Sequence, residues 1–178
     1  MIYKFRVILD ADEDVFRDIA IENTATLEDL NNTIINAFGF DGTELASFYT
    51  CDNQWNQEDE ISLFDTGEVE GEMSTMKDFV LADILHEEQT KIIYVYDFFQ
   101  MWTFLVELGA VDAPEDGVAY PALLFAHGIL PDAAPKQKFD IEDLSKLSDD
   151  EDGFDDDDLD EFNDDGGYED YGFEENWN

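Results

Sequence analysis

Two short segments rich in aromatic and β-branched residues, 91–98 and 102–108, constrain the fold most. Such residues favour strands, and only Phe99, Gln100 and Met101 separate the two segments. A connection this short joins antiparallel neighbours, because parallel strands need a crossover of a dozen or more residues. The sequence therefore predicts that the two segments pair as an antiparallel hairpin.

The opening of the chain predicts a second hairpin followed by a helix. Residues 2–9 and 15–21 alternate between apolar and polar side chains, the period of a half-buried strand. Thr26 and Asp29 approximate a capping box, the apolar residues up to Phe38 recur at helical spacing, and Gly39 fits the C′ position. With a further strand at 45–50, this gives a ββαβ, β-grasp-like opening.

The remaining segments give weaker patterns. We expect a loop over 51–74 with a short strand near 61–64, a short helix over 76–86, and another over 122–127 that ends at Gly128. The fold class predicted from these elements is α+β, a mostly antiparallel sheet with helices on one face. Residues 1–136 should form the folded domain.

Residues 137–178 have the composition of an acidic, disordered tail. Between positions 139 and 178 stand 19 Asp and Glu residues against Lys146 alone. Isolated aromatic residues interrupt the acidic runs, among them Phe173 and Trp177, and a purely solubilising tail does not need them. The tail therefore has two interpretations: a solvated extension, or a segment that recognises a partner.

The charge restricts the partners of the whole chain. The formal net charge is −39, so direct contact with nucleic-acid phosphates is disfavoured and a basic protein surface is attracted. Cys51 is the only cysteine, which fits a reducing compartment, and the apolar runs are too short to span a bilayer. We expect a cytoplasmic protein that does not enter membranes, and the sequence does not indicate an oligomeric state.

The predicted hairpin also carries the candidate binding residues. Tyr94, Tyr96 and Trp102 form either a ligand-binding aromatic face or part of the sheet core. Asp97 is either a functional carboxylate or a turn residue that accepts backbone N–H groups. Both interpretations stay open at the sequence level.

Catalytic residues, metal ligands and cofactors are not predicted. His86 and His127 lack a ligand partner at a zinc-binding spacing, and Cys51 lacks a nearby basic residue that would activate its thiol. We therefore favour a protein without enzymatic activity.

The segment Tyr94-Val-Tyr-Asp-Phe-Phe-Gln-Met-Trp102 resembles a family signature. It is similar to the Tyr-x-Tyr-Asp-Phe-Gly-Asp-x-Trp-x-His pattern of the plasmid pRiA ORF-three-like family, also described as insertion-element passenger (TnpR-like) proteins. The alternating first strand and the Leu81–Leu85 segment fit as well. Here the signature is degenerate: Phe99, Gln100 and Phe104 replace its Gly, Asp and His, which argues against any metal or catalytic role. The resemblance implies a fold and no assigned activity.

Three functions follow from these observations. The preferred one is a non-enzymatic interaction or adaptor protein, whose acidic tail binds a basic partner surface with Phe173 and Trp177 as apolar anchors. The first alternative is a small-molecule-binding or enzymatic domain with a pocket near the strands at 94–102. The second is a mobile-element-associated protein that acts through a DNA-binding partner.

Overall fold

In the computed structural model, which describes residues 1–69 and 71–135, seven strands form one antiparallel sheet. The strands are β1 (Ile2–Leu9), β2 (Phe16–Glu22), β3 (Ala46–Cys51), β4 (Gln57–Ser62), β5 (Lys91–Tyr96), β6 (Trp102–Asp112) and β7 (Ala122–His127). Two helices, α1 (Leu27–Phe38) and α2 (Leu81–Ile84), and a 3₁₀ turn at Met76–Asp78 complete the elements. The strand order is β4-β3-β5-β6-β1-β2-β7.

The opening hairpin and its helix form as the sequence predicts. β1 and β2 pair from Ile2↔Glu22 to Ile8↔Phe16, which turns Phe5, Val7 and Ile19 toward α1. All three side chains are buried, each stabilising the fold by about 1.5–3 kcal/mol.

Both ends of α1 carry the predicted caps. The Thr26 hydroxyl accepts a hydrogen bond from the Asp29 amide at 3.2 Å, and the Asp29 carboxylate accepts one from the Thr26 amide at 2.9 Å. Gly39 ends the helix at φ = 78°, a left-handed conformation that glycine adopts without steric cost. The capping box and the C′ glycine are confirmed.

The central hairpin is confirmed with one extension. β5 and β6 are antiparallel, in the register Tyr94↔Phe104 and Tyr96↔Trp102. β6 continues to Asp112, beyond the predicted end at 108, because it also pairs with β1, from Ile2↔Asp112 to Leu9↔Phe104. The opening strand thus lies inside the sheet, between β6 and β2.

The predicted helix over 76–86 is wrong as a continuous element. Residues there form the 3₁₀ turn and the single turn of α2, with Phe79 extended between them. The Phe79 carbonyl accepts the Leu27 amide at 3.0 Å, and the Leu81 amide donates to the Ala25 carbonyl at 2.8 Å. These bonds use backbone groups that a continuous helix would have needed for its own ladder.

The predicted helix over 122–127 is also wrong, because this segment is β7. It pairs antiparallel with β2, from Phe16↔His127 to Ala20↔Ala122, with a bulge opposite Asp18 and Ile19. Its Ala-Leu-Leu-Phe-Ala-His sequence has good helix formers, but the open edge of β2 offers backbone partners over its whole length. The short strand expected near 61–64 lies earlier, at Gln57–Ser62.

The fold class is α+β, with the helices on one face of a mostly antiparallel sheet. α1, α2 and that face share one apolar core, and a smaller cluster around Cys51, Ile93 and Val95 lies on the other face. Within the described ranges, none of the helices is long and apolar enough to cross a membrane. The predicted tail, 137–178, lies outside those ranges, so the predicted boundary at 136 stays a prediction.

Candidate functional site

Three of the candidate binding residues lie in the core between the sheet and α1. Tyr94 is fully buried, and its hydroxyl donates to the side-chain oxygen of Asn31 at 2.7 Å. The Tyr96 hydroxyl donates to Asp41 at 3.0 Å, and the Trp102 ring meets Phe40 edge-on at 5.4 Å between centroids. A ligand could reach these rings only by displacing the helix side of the core.

Further aromatic contacts connect these three residues into one cluster. Tyr94 packs between Phe48 at 4.9 Å and Phe104 at 5.9 Å, and Phe40 stacks on Tyr96 at 4.5 Å. Burial raises the pKa of both tyrosine hydroxyls. They therefore stay protonated at neutral pH and act as hydrogen-bond donors.

Asp97 shapes the turn between β5 and β6. Its backbone is left-handed at φ = 58°, and its carbonyl accepts the Met101 amide at 2.6 Å. Its carboxylate accepts the amides of Phe99 at 3.0 Å and Gln100 at 3.4 Å. These are the contacts of a turn-capping aspartate, so the carboxylate is already engaged by the backbone.

The structure shows how two residues that depart from the family signature, Phe99 and Phe104, fit into the hairpin. Phe99 is fully exposed, and positive φ falls on Asp97 and Met101 rather than on it. The position therefore does not need a glycine. Phe104 is buried and packs on Phe38 at 4.7 Å, so an apolar contact occupies the place of the signature's histidine.

The remaining reactive side chains are those of Cys51, His86 and His127. Burial first, then the nearby carboxylates of Asp52 and Glu58, raises the pKa of the Cys51 thiol to about 11. His86 Nδ1 accepts the Glu88 amide at 3.3 Å, and His127 stacks on Phe16 at 5.1 Å. Residues 1–69 and 71–135 contain no cluster of three or more His, Cys, Asp or Glu placed to hold a metal.

Among the described residues, β7 exposes three consecutive large apolar side chains, although the sequence predicts a helix there. Leu123, Leu124 and Phe125 are each about half exposed, at 52%, 49% and 53%. β7 is the last strand of the sheet, so one of its edges has no strand partner in the described part of the chain. Pro121 and Gly128 bound a segment of six residues, 122–127, and this short length is the sequence signal that fits a strand.

Arg17 fixes the far end of β7. Its guanidinium donates to the carbonyls of His127 at 2.8 Å and of Ala37, in the last turn of α1, at 3.2 Å. The group also lies 4.8 Å above the Phe38 ring. Burial lowers the pKa of this arginine, which nonetheless stays charged. A cation at the carbonyl end of α1 is favourable to the helix dipole.

A groove runs between α1 and the start of β7. It contains two adjoining cavities of about 190 and 180 Å³, which share Thr33, Asn36 and Pro121. Ile19 and Leu123 form apolar walls, while the amides of Asn32 and Asn36 stand one helical turn apart on the exposed flank of α1. The groove combines an open strand edge with a facing helix.

A larger cavity, about 340 Å³, lies beside the β1–β2 turn. Acidic residues 10, 12 and 13 and the segment 131–135 line it. It borders the point where the described chain stops, and its acidic wall disfavours anionic ligands. Phe173 and Trp177, the candidate anchors of the tail, lie outside the described residues.

The chain is similar to known proteins in its fold and in its family signature. A crystal structure of a protein of unknown function from Methanosarcina mazei Go1 is similar, with a TM-score of 0.64 and 20% sequence identity. The match covers 84% of this chain and 82% of that one, which shows a shared fold. No curated protein matches the sequence. The model of the plasmid pRiA4b ORF-3-like proteins matches residues 1–177, and the chain therefore belongs to the plasmid pRiA4b ORF-3-like protein family.

Proposed function

We propose that this protein is a non-enzymatic interaction protein that binds a basic surface of another protein. Its acidic segment 137–178 supplies the attraction, and Phe173 and Trp177 supply apolar contacts at short range. Dense charge steers a partner, whereas buried aromatic anchors give specificity.

One observation carries the proposal: four of the five Lys and Arg side chains in residues 1–69 and 71–135 are already engaged. Lys4 pairs with Asp112 at 2.7 Å and Arg6 with Asp18 at 2.7 Å. Arg17 is committed to backbone carbonyls.

Lys91 is engaged as well, since it donates to the Asn53 carbonyl at 2.8 Å and lies 4.9 Å from the Trp55 ring. Only Lys77, of the Lys and Arg in residues 1–69 and 71–135, lacks a hydrogen bond or ion pair at these distances. The domain thus offers few free cations to 19 tail carboxylates, and an external basic surface is the better partner.

The test uses the full chain and two labelled synthetic peptides of equal charge. In one, lysine alternates with an apolar residue; in the other, lysine alternates with serine. We expect the apolar peptide to bind more tightly, with an affinity that falls about tenfold or more between about 0.05 M and 0.5 M salt, as exposed charges become screened.

A variant pair tests the anchors. Trp177→Ala should weaken binding of the apolar peptide several-fold at fixed salt. Phe99→Ala, which removes a fully exposed ring from the β5–β6 turn, is the matched control and should leave the affinity unchanged. If affinity responds neither to salt nor to Trp177→Ala, the tail only solubilises the domain and the proposal fails.

A further inference from the structure

The two edges of the sheet differ in a way that points to a second binding surface. β4, one edge strand, has the sequence Gln-Glu-Asp-Glu-Ile-Ser, and its first four residues are exposed. Charged side chains on an edge strand prevent another strand from pairing with it. β7, the other edge, has the uncharged sequence Ala-Leu-Leu-Phe-Ala-His and lacks such protection.

The bulge in β7 places apolar side chains on both faces of that edge. Leu123, opposite Ile19, borders the groove against α1. Leu124 lies on the other face beside Lys4 and Arg6, and the Phe125 ring lies 6.0 Å from that of Phe16. A strand added outside β7 would therefore meet apolar contacts above and below the sheet.

The groove adds a helix to this open edge. An extended peptide that pairs with an edge strand beside a helix gains main-chain hydrogen bonds from the strand and pockets for alternate side chains from the groove. Asn32 and Asn36 stand on the rim, and among the described contacts their amides have no hydrogen-bond partner. Both amides can donate to and accept from a peptide backbone.

The acidic residues around the β7 edge favour a positively charged segment as its binding partner. Glu22 and Asp29 line the groove, and Asp18 and Glu107 border the opposite face. Lys4 and Arg6, the nearby cations, are already paired with Asp112 and Asp18. A second copy would bring net charge −39 against net charge −39, and residues 139–178 of the same chain have 19 acidic residues against one lysine.

We propose that the outer edge of β7 and the groove against α1 bind an extended segment containing lysine or arginine, which joins the sheet as a further strand. The positive charge of that segment rests on the proposed function, because the basic partner supplies it. The position at β7 rests on the apolar edge and the groove alone.

The test is amide hydrogen exchange of the full chain, read by mass spectrometry, with and without the lysine–apolar peptide as probe. We expect exchange in residues 122–127 to slow several-fold when the probe is bound, because strand addition places outward amides in hydrogen bonds. Exchange in β4, the charged edge, should not change.

A pair of lysine substitutions supplies the matched control. Leu123→Lys places a repelling charge in the groove and should weaken probe binding about tenfold. Leu45→Lys makes the same change at a residue of nearly equal exposure, 51%, just before β3, and should change the affinity less than about twofold.

The outcomes separate the two proposals. Probe binding that depends on Trp177 but leaves exchange in 122–127 unchanged overturns this inference and supports the tail proposal. Protection of 122–127 in the probe-free chain that is lost on dilution identifies a second copy as the occupant. Protection that persists on dilution identifies a segment of the same chain, and either result overturns the inference. No binding of the probe refutes both proposals.

Discussion

The hydroxyl of Tyr94, in the centre of the sheet, donates a 2.7 Å hydrogen bond to the side-chain oxygen of Asn31 in α1, and both residues are buried. This bond satisfies two polar groups inside an otherwise apolar interface. A buried polar group costs little when it is paired and much when its partner is removed. The pair therefore fixes how α1 lies on the sheet.

Tyr94→Phe should lower the free energy of unfolding by about 1–3 kcal/mol, because it leaves the Asn31 oxygen unpaired. The measurement is urea unfolding followed by circular dichroism. Tyr120→Phe, which alters a hydroxyl at the surface, should change stability by less than about 0.5 kcal/mol. Adding Asn31→Leu to Tyr94→Phe should recover part of the loss, and an unaltered midpoint in Tyr94→Phe would contradict the prediction.

Trp102→Ala should destabilise the domain by about 3–5 kcal/mol. The ring is buried against Phe40 and Tyr96 pairs with it across the hairpin. Phe99→Ala, three residues earlier and fully exposed, is the control and should remain within about 0.5 kcal/mol of wild type. A Trp102→Ala chain that unfolds at the wild-type denaturant concentration would show that the ring does not support the core.

The Cys51 thiol should make stability fall in alkaline solution. Its folded pKa, about 11, lies above the ordinary value of 9.0. The contribution of the neutral, buried thiol to the free energy of unfolding is therefore fully present below about pH 9. It is lost as the pH rises toward 11, because the Cys51 thiol loses its proton in the unfolded chain before it does so in the folded chain.

Urea midpoints measured from about pH 8 to pH 10 should fall more steeply in wild type than in Cys51→Ala. Tyr49→Phe is the comparison, since burial raises the pKa of Tyr49 from 10.0 to about 12 and its influence begins at higher pH. Equal slopes for wild type and Cys51→Ala below pH 10 would refute the assignment to the thiol.

Truncation after Lys138 should leave a domain at least as stable as the full chain near neutral pH. The removed segment has 19 acidic residues and one lysine, so its loss relieves self-repulsion. Thermal unfolding at low salt should show an equal or higher Tm, and the difference should shrink at about 1 M salt. A clearly lower Tm in the truncated chain would show that the tail is a structural part of the domain.

The sequence correctly predicts those elements whose conformation is determined by residues close together in the chain. The caps of α1 depend on Thr26, Asp29 and Gly39, which lie within or beside the helix. The β5–β6 hairpin depends on two segments of strong strand-forming residues and a short connection, residues 97–101. In both cases the residues that determine the structure are neighbours in sequence.

The predictions that were wrong concern segments whose conformation is determined by hydrogen bonds to backbone far away in the sequence. β7 is a strand because β2, about one hundred residues earlier, offers it an open edge, and no pattern within 122–127 records that edge. The predicted helix over 76–86 is interrupted because the Phe79 carbonyl accepts the amide of Leu27, the first residue of α1, and the Leu81 amide donates to Ala25, just before α1. The groove against β7 was missed for the same reason, whereas Tyr94, Tyr96 and Trp102 were located correctly in the hairpin and lie in its buried face.

The interior position of β1 has a consequence for how the chain folds during synthesis. β1 is made first, yet one of its two neighbours, β6, follows roughly one hundred residues later, a delay of about 5–20 s at typical ribosomal rates. Over that interval Phe5, Val7 and Leu9 lack the core contacts that Phe104, Val106 and Leu108 of β6 supply. Changes that weaken the β1–β2 turn should therefore reduce the soluble yield of newly made protein more than they lower its final melting temperature.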